Sequence, residues 1–273
     1  MQVDLHTHSC YSDGQYSPTE LVHRAASAQI THLALTDHDA VLGLAEAMEA
    51  AKEQGIAFLT GIEISTAGYR RQHILGYGID PQNAALLEMC EVFSRRRLQR
   101  AERIAALLCA QGLEITLEEV CAEATGQVGR PHFAKVLIAK GAAASVQDAF
   151  DRYLSTPELR ALPDPKPTAE AAIALIHQAG GIAVLAHPMT LSLDETAFRK
   201  HLDMLCACGL NGVEAYYLRH TPQQRQFYAA CADERGLCVT AGSDFHGEAV
   251  KPDIAMGVAV EESLIAQPQL RFR

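Results

Sequence analysis

An alternation of short apolar runs with amphipathic ones, interrupted once, constrains the fold of this chain more than any other feature of its sequence. Residues 1–6, 32–36, 57–64, 181–186, 212–216 and 237–241 read as strands. Helical patterns over 18–28, 43–54 and 168–179, a run ending at 208, and 221–235 lie among them. Strands that alternate with helices signal parallel β-structure, because a parallel pair needs a long crossover to bring the chain back to the same end of the sheet. The helix at 18 carries a start signal, with Ser17 at the N-cap, Pro18 at the first position and Glu20 at the third. From 83 to 159 the period is helical only: Leu86, Leu87, Cys90, Phe93, Ala101, Ile104, Leu107 and Leu108 recur at three-and-four spacing until Gly112 stops the run. Shorter helices are expected over 116–124, 131–139 and 145–153, and Pro163, Pro165 and Pro167 stiffen the exit. The expected organisation is a first α/β part at 1–82, a helical insertion at 83–165 that caps the substrate, and a second α/β part at 166–273.

Composition limits the partners. The 33 acidic residues outnumber the 23 basic ones, a net charge of -10, which argues against a surface built for long duplex nucleic acid or an anionic membrane. A phosphorylated partner must therefore be held locally. No apolar run approaches the roughly 18 residues of a membrane span, and the first residues lack the basic and apolar regions of a secretion signal, so the cytoplasm is the expected compartment. The eight Cys are scattered through helix-like runs and read as reduced core thiols; Cys206-Ala-Cys208 lacks the second pair of a zinc finger.

His and acidic residues gather at the ends of the strands. His6 and His8 stand two apart at the end of the first, where strand period two turns both imidazoles to one side. Asp13 lies in the following loop, His38 ends the second strand in Thr36-Asp37-His38-Asp39, and Glu63 ends the third. His73 comes next, His187 ends the strand at 181–186, and Asp244 and His246 stand two apart in Ser243-Asp244-Phe245-His246. In a barrel of parallel strands this is the face on which active sites are built. Nine N and O donors exceed what one ion of four to six ligands uses, so two or three divalent ions are expected, Mn2+ first and Fe2+, Zn2+ or Mg2+ as alternatives. Asp37 and Asp39 are expected either to orient His38 or to cap the next helix, Glu214 to bind metal or pair with a basic residue, and His23, His32, His177, His201 and His220 to be structural.

With His6-Thr7-His8-Ser9, Thr36-Asp37-His38-Asp39, Ala186-His187-Pro188 and Ser243-Asp244-Phe245-His246, the chain resembles the polymerase and histidinol phosphatase (PHP) superfamily of metal-dependent phosphoesterases. Tyr11-Ser12-Asp13-Gly14 and Gly129-Arg130-Pro131-His132-Phe133 make it similar to the stand-alone branch of 3',5'-nucleoside bisphosphate phosphatases, some of which are also 5'-to-3' exonucleases on short oligoribonucleotides. The resemblance implies a distorted (β/α)7 barrel holding three metals. One takes His6, His8, Glu63 and Asp244, a second Glu63, His73 and His187, and a third Asp13, His38 and His246.

Arg130 and Lys135, on a helix whose first turn holds Pro131, are expected to bind phosphate together with the free N–H groups of that turn and His132. Arg160 and Arg219 are further candidates, and Arg95-Arg96-Arg97 is expected to be a solvated face. The expected reaction is removal of the 3'-phosphate of a nucleoside 3',5'-bisphosphate by a hydroxide bridging two metals, with Glu63, His187 and Asp244 at the chemistry. A short oligoribonucleotide is the other expected substrate. The alternatives are a histidinol-phosphate phosphatase, a nuclease on longer chains, an amidohydrolase or deaminase, and a domain whose metals are structural. Neither a Gly-x-Ser-x-Gly elbow nor an ATPase phosphate loop is present in the sequence.

Overall fold

The computed structural model describes residues 1–69, 71–164 and 166–272. Pro165, one of the three prolines expected to stiffen the exit from the helical stretch, lies outside the described residues.

The chain begins with β1 (Gln2–Thr7), α1 (Pro18–Ser27), β2 (Ile30–Leu35), α2 (Leu44–Gln54), β3 (Ala57–Ser65) and β4 (His73–Tyr77). Helices alone follow: α3 (Ala84–Ala110), α4 (Leu117–Ala122), α5 (Arg130–Ala139), α6 (Val146–Ala149) continuing into a π-helical turn at Phe150–Leu154, and α7 (Pro157–Arg160). Alternation resumes with α8 (Ala169–Gln178), β5 (Ile182–Leu185), α9 (Glu195–Ala207), β6 (Gly212–Tyr217), α10 (Pro222–Asp233), β7 (Cys238–Gly242), the short β8 (Val258–Ala259) and α11 (Glu262–Ile265). Ser17 and Glu20 form the expected capping box on α1, and Leu21, Val22 and Ala25 make the buried stripe of that helix.

The strands lie in the order β7-β6-β5-β4-β3-β2-β1-β8. A parallel bridge between Thr7 and Phe245 brings the β7 end back to β1, with Asp244 N–H donating to His6 O at 2.9 Å and His8 N–H to Phe245 O at 2.9 Å, so the sheet nearly closes into a barrel. Seven strands carry this curve, and β8 adds two residues antiparallel to β1. The sequence reading placed no strand at 73–77, and β4 interrupts the parallel pattern expected of the other strands by running antiparallel to both β3 and β5. Seven residues, 66–72, join β3 directly to β4, where a parallel pair would have required a long crossover. Gly242 lets the barrel interior close: a Cβ there would stand 2.3 Å from His6 Cβ and 2.6 Å from Glu214 Oε1.

Leu33, Ile62, Ile74, Ile173 and Phe198 represent the layer packed between sheet and helices. Leu5, Leu59, Tyr77 and Val184 belong to a smaller cluster, in which Tyr77 Oη donates to Leu5 O at 2.7 Å. The helical stretch holds a cluster of its own around Ile104, Leu108, Phe133 and Leu137. Among the described residues no helix is long and apolar enough to cross a membrane. The eight cysteines form no disulfide; Cys231 and Cys238 are buried but Cys109 is exposed, so the reading of all eight as core thiols is corrected.

Candidate metal centre and substrate cavity

All nine donors singled out in the sequence come together at one end of the barrel, around Glu63. Its Oε2 lies 3.3 Å from His6 Nε2, 3.2 Å from His8 Nε2 and 3.0 Å from His38 Nδ1. Its Oε1 lies 2.7 Å from His73 Nδ1 and 3.0 Å from His187 Nε2. Asp244 Oδ1 stands 3.3 Å from His8 Nε2, and Asp13 Oδ1 lies 3.2 Å from His246 Nε2. The antiparallel direction of β4 explains how His73 arrives: it starts its strand, and that start lies beside Ser65 at the end of β3.

Three overlapping groups have ligand atoms within 4.8 Å of one another: His6, His8, Glu63 and Asp244; His8, Asp13, His38 and His246; and His38, Glu63 and His73. The first is the set the resemblance implies for one ion. The second adds His8 to the set implied for another. In the third, His38 stands where His187 is implied, although His187 also reaches Glu63.

The donor set fits cations on a direct observation. His6 Nε2, His8 Nε2, Asp13 Oδ1, His38 Nδ1 and Glu63 Oε2 are buried with no hydrogen-bond partner among the described residues. The three imidazole nitrogens stand 3.0–3.3 Å from Glu63 Oε2, and Asp13 Oδ1 stands 3.2 Å from His246 Nε2, without hydrogen-bonding alignment. Buried polar atoms are almost always paired, so five orphans in one spot mark a place for ions. Other contacts set the faces of the rings. Glu214 accepts from His6 Nδ1 at 3.0 Å, Thr190 Oγ1 lies 3.0 Å from His187 Nδ1, and Asp244 O accepts from His246 Nδ1 at 2.8 Å, which leaves each Nε2 for a ligand. Burial pushes His8 and His73 down to about 4, so both are neutral near pH 7. Burial alone would also lower His38, but the charges of Glu63 and Asp13 prevail and raise it to about 9. His6 is likewise raised well above its ordinary value, the carboxylates of Glu214 and Glu63 outweighing burial. Asp39, His187 and Asp244 hold positive φ of 51°, 27° and 60°, conformations that cost energy outside glycine and cluster at functional sites.

Several expectations need correction. Among the described residues Glu214 pairs with no Lys or Arg and belongs to none of the three donor groups; it holds the His6 ring and accepts the His187 N–H at 2.7 Å. Asp37 neither orients His38 nor caps a helix. It accepts from Ser9 N–H at 2.7 Å, Ser9 Oγ at 2.6 Å and Ser12 Oγ at 2.6 Å, which fixes the loop after β1. Asp39 accepts from Ser65 N–H at 3.1 Å and pairs with Arg97.

Over the donors opens a cavity of about 1280 Å³. Arg130, Arg160 and Arg219 line it, Arg130 Nη1 donating to Leu154 O at 3.3 Å and Arg219 pairing with Asp253 at 2.5 Å. His132 and Lys135 are not among its described lining residues, contrary to expectation. His132 Nδ1 accepts the Gly129 N–H at 3.0 Å, so the side chain serves the start of its own helix. Lys135 follows Arg130 by five residues, roughly 140° around the helix axis. Arg95 and Arg96 are exposed as expected of a solvated face, but Arg97 is half-buried, and Arg96 and Arg97 both line the cavity. Phe93, Arg96, Arg97, Arg100, Ala101 and Ile104, at three-and-four spacing, turn one face of α3 to the cavity. The sequence reading also missed Lys251, whose Nζ lies 2.7 Å from Asp244 Oδ2, and Tyr217, whose hydroxyl donates to the same oxygen at 3.3 Å. No local pattern marks Lys251, which sits in a loop after β7.

Comparison with known proteins agrees with this geometry. The PHP domain family matches residues 4–160. A 3',5'-nucleoside bisphosphate phosphatase of Chromobacterium violaceum is 36% identical over 247 residues, 89% of this chain and 87% of that protein. A 5'-3' exoribonuclease of Haemophilus influenzae is 38% identical over 246 residues, 90% of each. A solved structure from Bifidobacterium adolescentis, described as a metal-dependent phosphoesterase, superposes with a TM-score of 0.86 at 32% identity, covering 97% of this chain and 94% of that one. Family match, relatives and donor constellation lead to one conclusion: this chain belongs to the PHP domain family.

Proposed function

We propose that this metal-dependent phosphoesterase removes the 3'-phosphate of nucleoside 3',5'-bisphosphates. The observation that carries the reading is the convergence of five imidazoles on Glu63 at the floor of a large cavity whose walls hold arginines. His6, His8, Glu63 and Asp244 would hold one ion, Glu63, His73 and His187 a second, and Asp13, His38 and His246 a third. Divalent ions in such a site supply a water deprotonated near neutral pH and positive charge for the phosphoryl oxygens.

The chain's own groups do the rest. Glu63 presents one oxygen to His6, His8 and His38 and the other to His73 and His187, so it spans two of the proposed ion positions. Lys251 and Tyr217 hold Asp244 Oδ2, leaving Oδ1 to face the imidazoles. Arg130, Arg160 and the arginines of α3 line the walls, where they suit a substrate's second phosphate. A ligand with two phosphates matches this arrangement better than histidinol phosphate, which has one. The similarity to the Chromobacterium phosphatase supports the same choice.

Cavity size favours a second substrate, a short 5'-phosphorylated oligoribonucleotide. About 1280 Å³ exceeds the roughly 300–1,000 Å³ typical of a small-molecule site. The exoribonuclease relative points the same way. The test is phosphate release by the manganese-loaded protein from adenosine 3',5'-bisphosphate, with AMP, histidinol phosphate and a short 5'-phosphorylated RNA assayed alongside. Formation of 5'-AMP from the bisphosphate is expected. Turnover of histidinol phosphate alone would overturn the substrate assignment.

A further inference from the structure

Asp39 directly follows the donor His38 in the chain and is 3% exposed. Its N–H donates to Glu63 O at 3.0 Å, and its φ of 51° is a conformation that persists only where surrounding contacts impose it. Two separate parts of the helical stretch meet there. Arg97, in the middle of α3, pairs with the Asp39 carboxylate, and Gln127, in the loop between α4 and α5, donates from Nε2 to Asp39 O at 3.2 Å. Gln127 is itself buried. Its N–H donates to Tyr11 O at 2.9 Å, and a Cβ on its neighbour Gly126 would stand 2.1 Å from that same oxygen, so glycine alone permits the approach. Tyr11 lies two residues before the donor Asp13. The helical stretch thus holds the loop after β1 through Gly126 and Gln127, and the segment after β2 through Gln127 and Arg97.

We propose that Gln127 and Arg97 are positioning residues, through which the helical stretch aims Asp13 and His38 at the third ion. The inference rests on the assignment of Asp13, His38 and His246 to that ion. Donors of the other two ions are held from within the barrel: Glu214 accepts from His6 Nδ1, Thr190 Oγ1 faces His187 Nδ1, and Lys251 holds Asp244 Oδ2. Asp13 and His38 stand on connecting segments instead. Asp13 Oδ1 and His38 Nδ1 have no hydrogen-bond partner among the described residues, so the placement of their segments aims them.

The loop after β1 also backs onto the remaining donor of this ion, Gln15 N–H donating to His246 O at 2.7 Å. A shift of that loop therefore moves Asp13 and the support of His246 together. Ligand distances in a metal site tolerate about 0.2 Å, so a small displacement of either clamped segment weakens this ion before the other two. Contacts that orient ligands from behind are worth about 10- to 100-fold in metal affinity.

Mn2+ is titrated at pH 8 into the full metal-free chain by calorimetry, and bound Mn2+ is counted after equilibrium dialysis, with urea unfolding without Mn2+ as the check on folding. Asp13→Ala identifies which binding phase belongs to the third ion. Gln127→Met keeps the length of the side chain but loses its donor, and is expected to weaken that phase at least about tenfold while the other phases stay within about twofold. Arg97→Met is expected to weaken the same phase. Gly126→Ala, which wedges the loop away from Tyr11 without touching Gln127, gives an independent variant with the same expected result. A contact that only stabilises the fold would lower the urea midpoint and leave every phase alone. That outcome, or equal weakening of all phases, would overturn the proposal while the third-ion assignment stands. An Mn2+ count and affinities unchanged in Asp13→Ala would overturn the assignment, and the proposal with it.

Discussion

Metal binding by this protein should be steeply pH-dependent, and the structure gives the slope. In the metal-free chain the charges of Glu63 and Asp13 hold His38 at about 9 against the opposing effect of burial. An ion that takes His38 Nδ1 must displace that proton, so at pH 7 the affinity is reduced on the order of 100-fold, or about 3 kcal/mol, relative to pH above 9. Affinity should rise about tenfold per pH unit between 7 and 9 from His38 alone, and His6, also raised, steepens the slope further. His8 and His73, lowered to about 4, are already neutral and release nothing. The sign reverses for stability of the metal-free chain. A histidine raised on folding contributes stability that is complete below its unfolded value near 6.5 and lost as pH rises through 9, about 1.4 kcal/mol per pH unit and about 3 kcal/mol in total. Mn2+ titration calorimetry in two buffers of different ionisation enthalpy counts the protons, and urea unfolding of the metal-free chain from pH 6.5 to 9 measures the stability. Glu63→Gln keeps the shape but removes the main charge that raises His38, so it should abolish turnover and flatten the proton release. Buffer-independent heats and a flat affinity between pH 7 and 9 in the parent chain would refute the reasoning.

Three further outcomes follow from particular contacts. Lys251→Met removes the ammonium 2.7 Å from Asp244 Oδ2 and should lower kcat/KM for the bisphosphate by about 10- to 100-fold, the worth of a charged hydrogen bond, in steady-state kinetics at saturating Mn2+; unchanged kinetics would remove Lys251 from the site. Arg97→Met leaves Asp39 buried without its ion-pair partner and should cost about 1.5–3 kcal/mol in urea unfolding, most of it recovered when Asp39→Asn is added; equal losses in the single and double variants would contradict the pairing. Leu108→Ala opens a void in the helical cluster and should cost about 2–5 kcal/mol while Mn2+ affinity at pH 8 stays within twofold; a parallel loss of affinity would show that the helical cluster shapes the donors.

What could be read from the sequence depended on short-range geometry. Strand period two put His6 and His8 on one side and forecast a chelate, and the same spacing recurs at Asp244 and His246. The capping signals of Ser17, Pro18 and Glu20 located α1 because an N-cap is satisfied within one helical turn. Donors at strand ends forecast one shared site because parallel strands in a barrel end on one face. That argument had no purchase on β4, whose direction depends on pairing with strands on both sides; His73 reached the site from a strand start. Glu214 and Lys251 were not legible as partners of His6 and Asp244, nor Arg97 as the partner of Asp39. The Glu214 contact to His6 spans 208 residues and the Arg97 contact to Asp39 spans 58, and no local period records such distances. Lys251 is only seven residues from Asp244, but an irregular loop decides where its ammonium goes. His132 shows the converse, a residue marked for substrate that the local N-terminus of α5 takes for itself. The sequence by itself determined most of the elements, though not β4 or β8, and which residues stand at their ends, because 2.0- and 3.6-residue periods and helix caps act over a few bonds. The tertiary structure alone decided which oxygen of Glu63 each imidazole faces, which arginines turn to the cavity, and which charges hold the donors in place, because these are set by how distant elements pack.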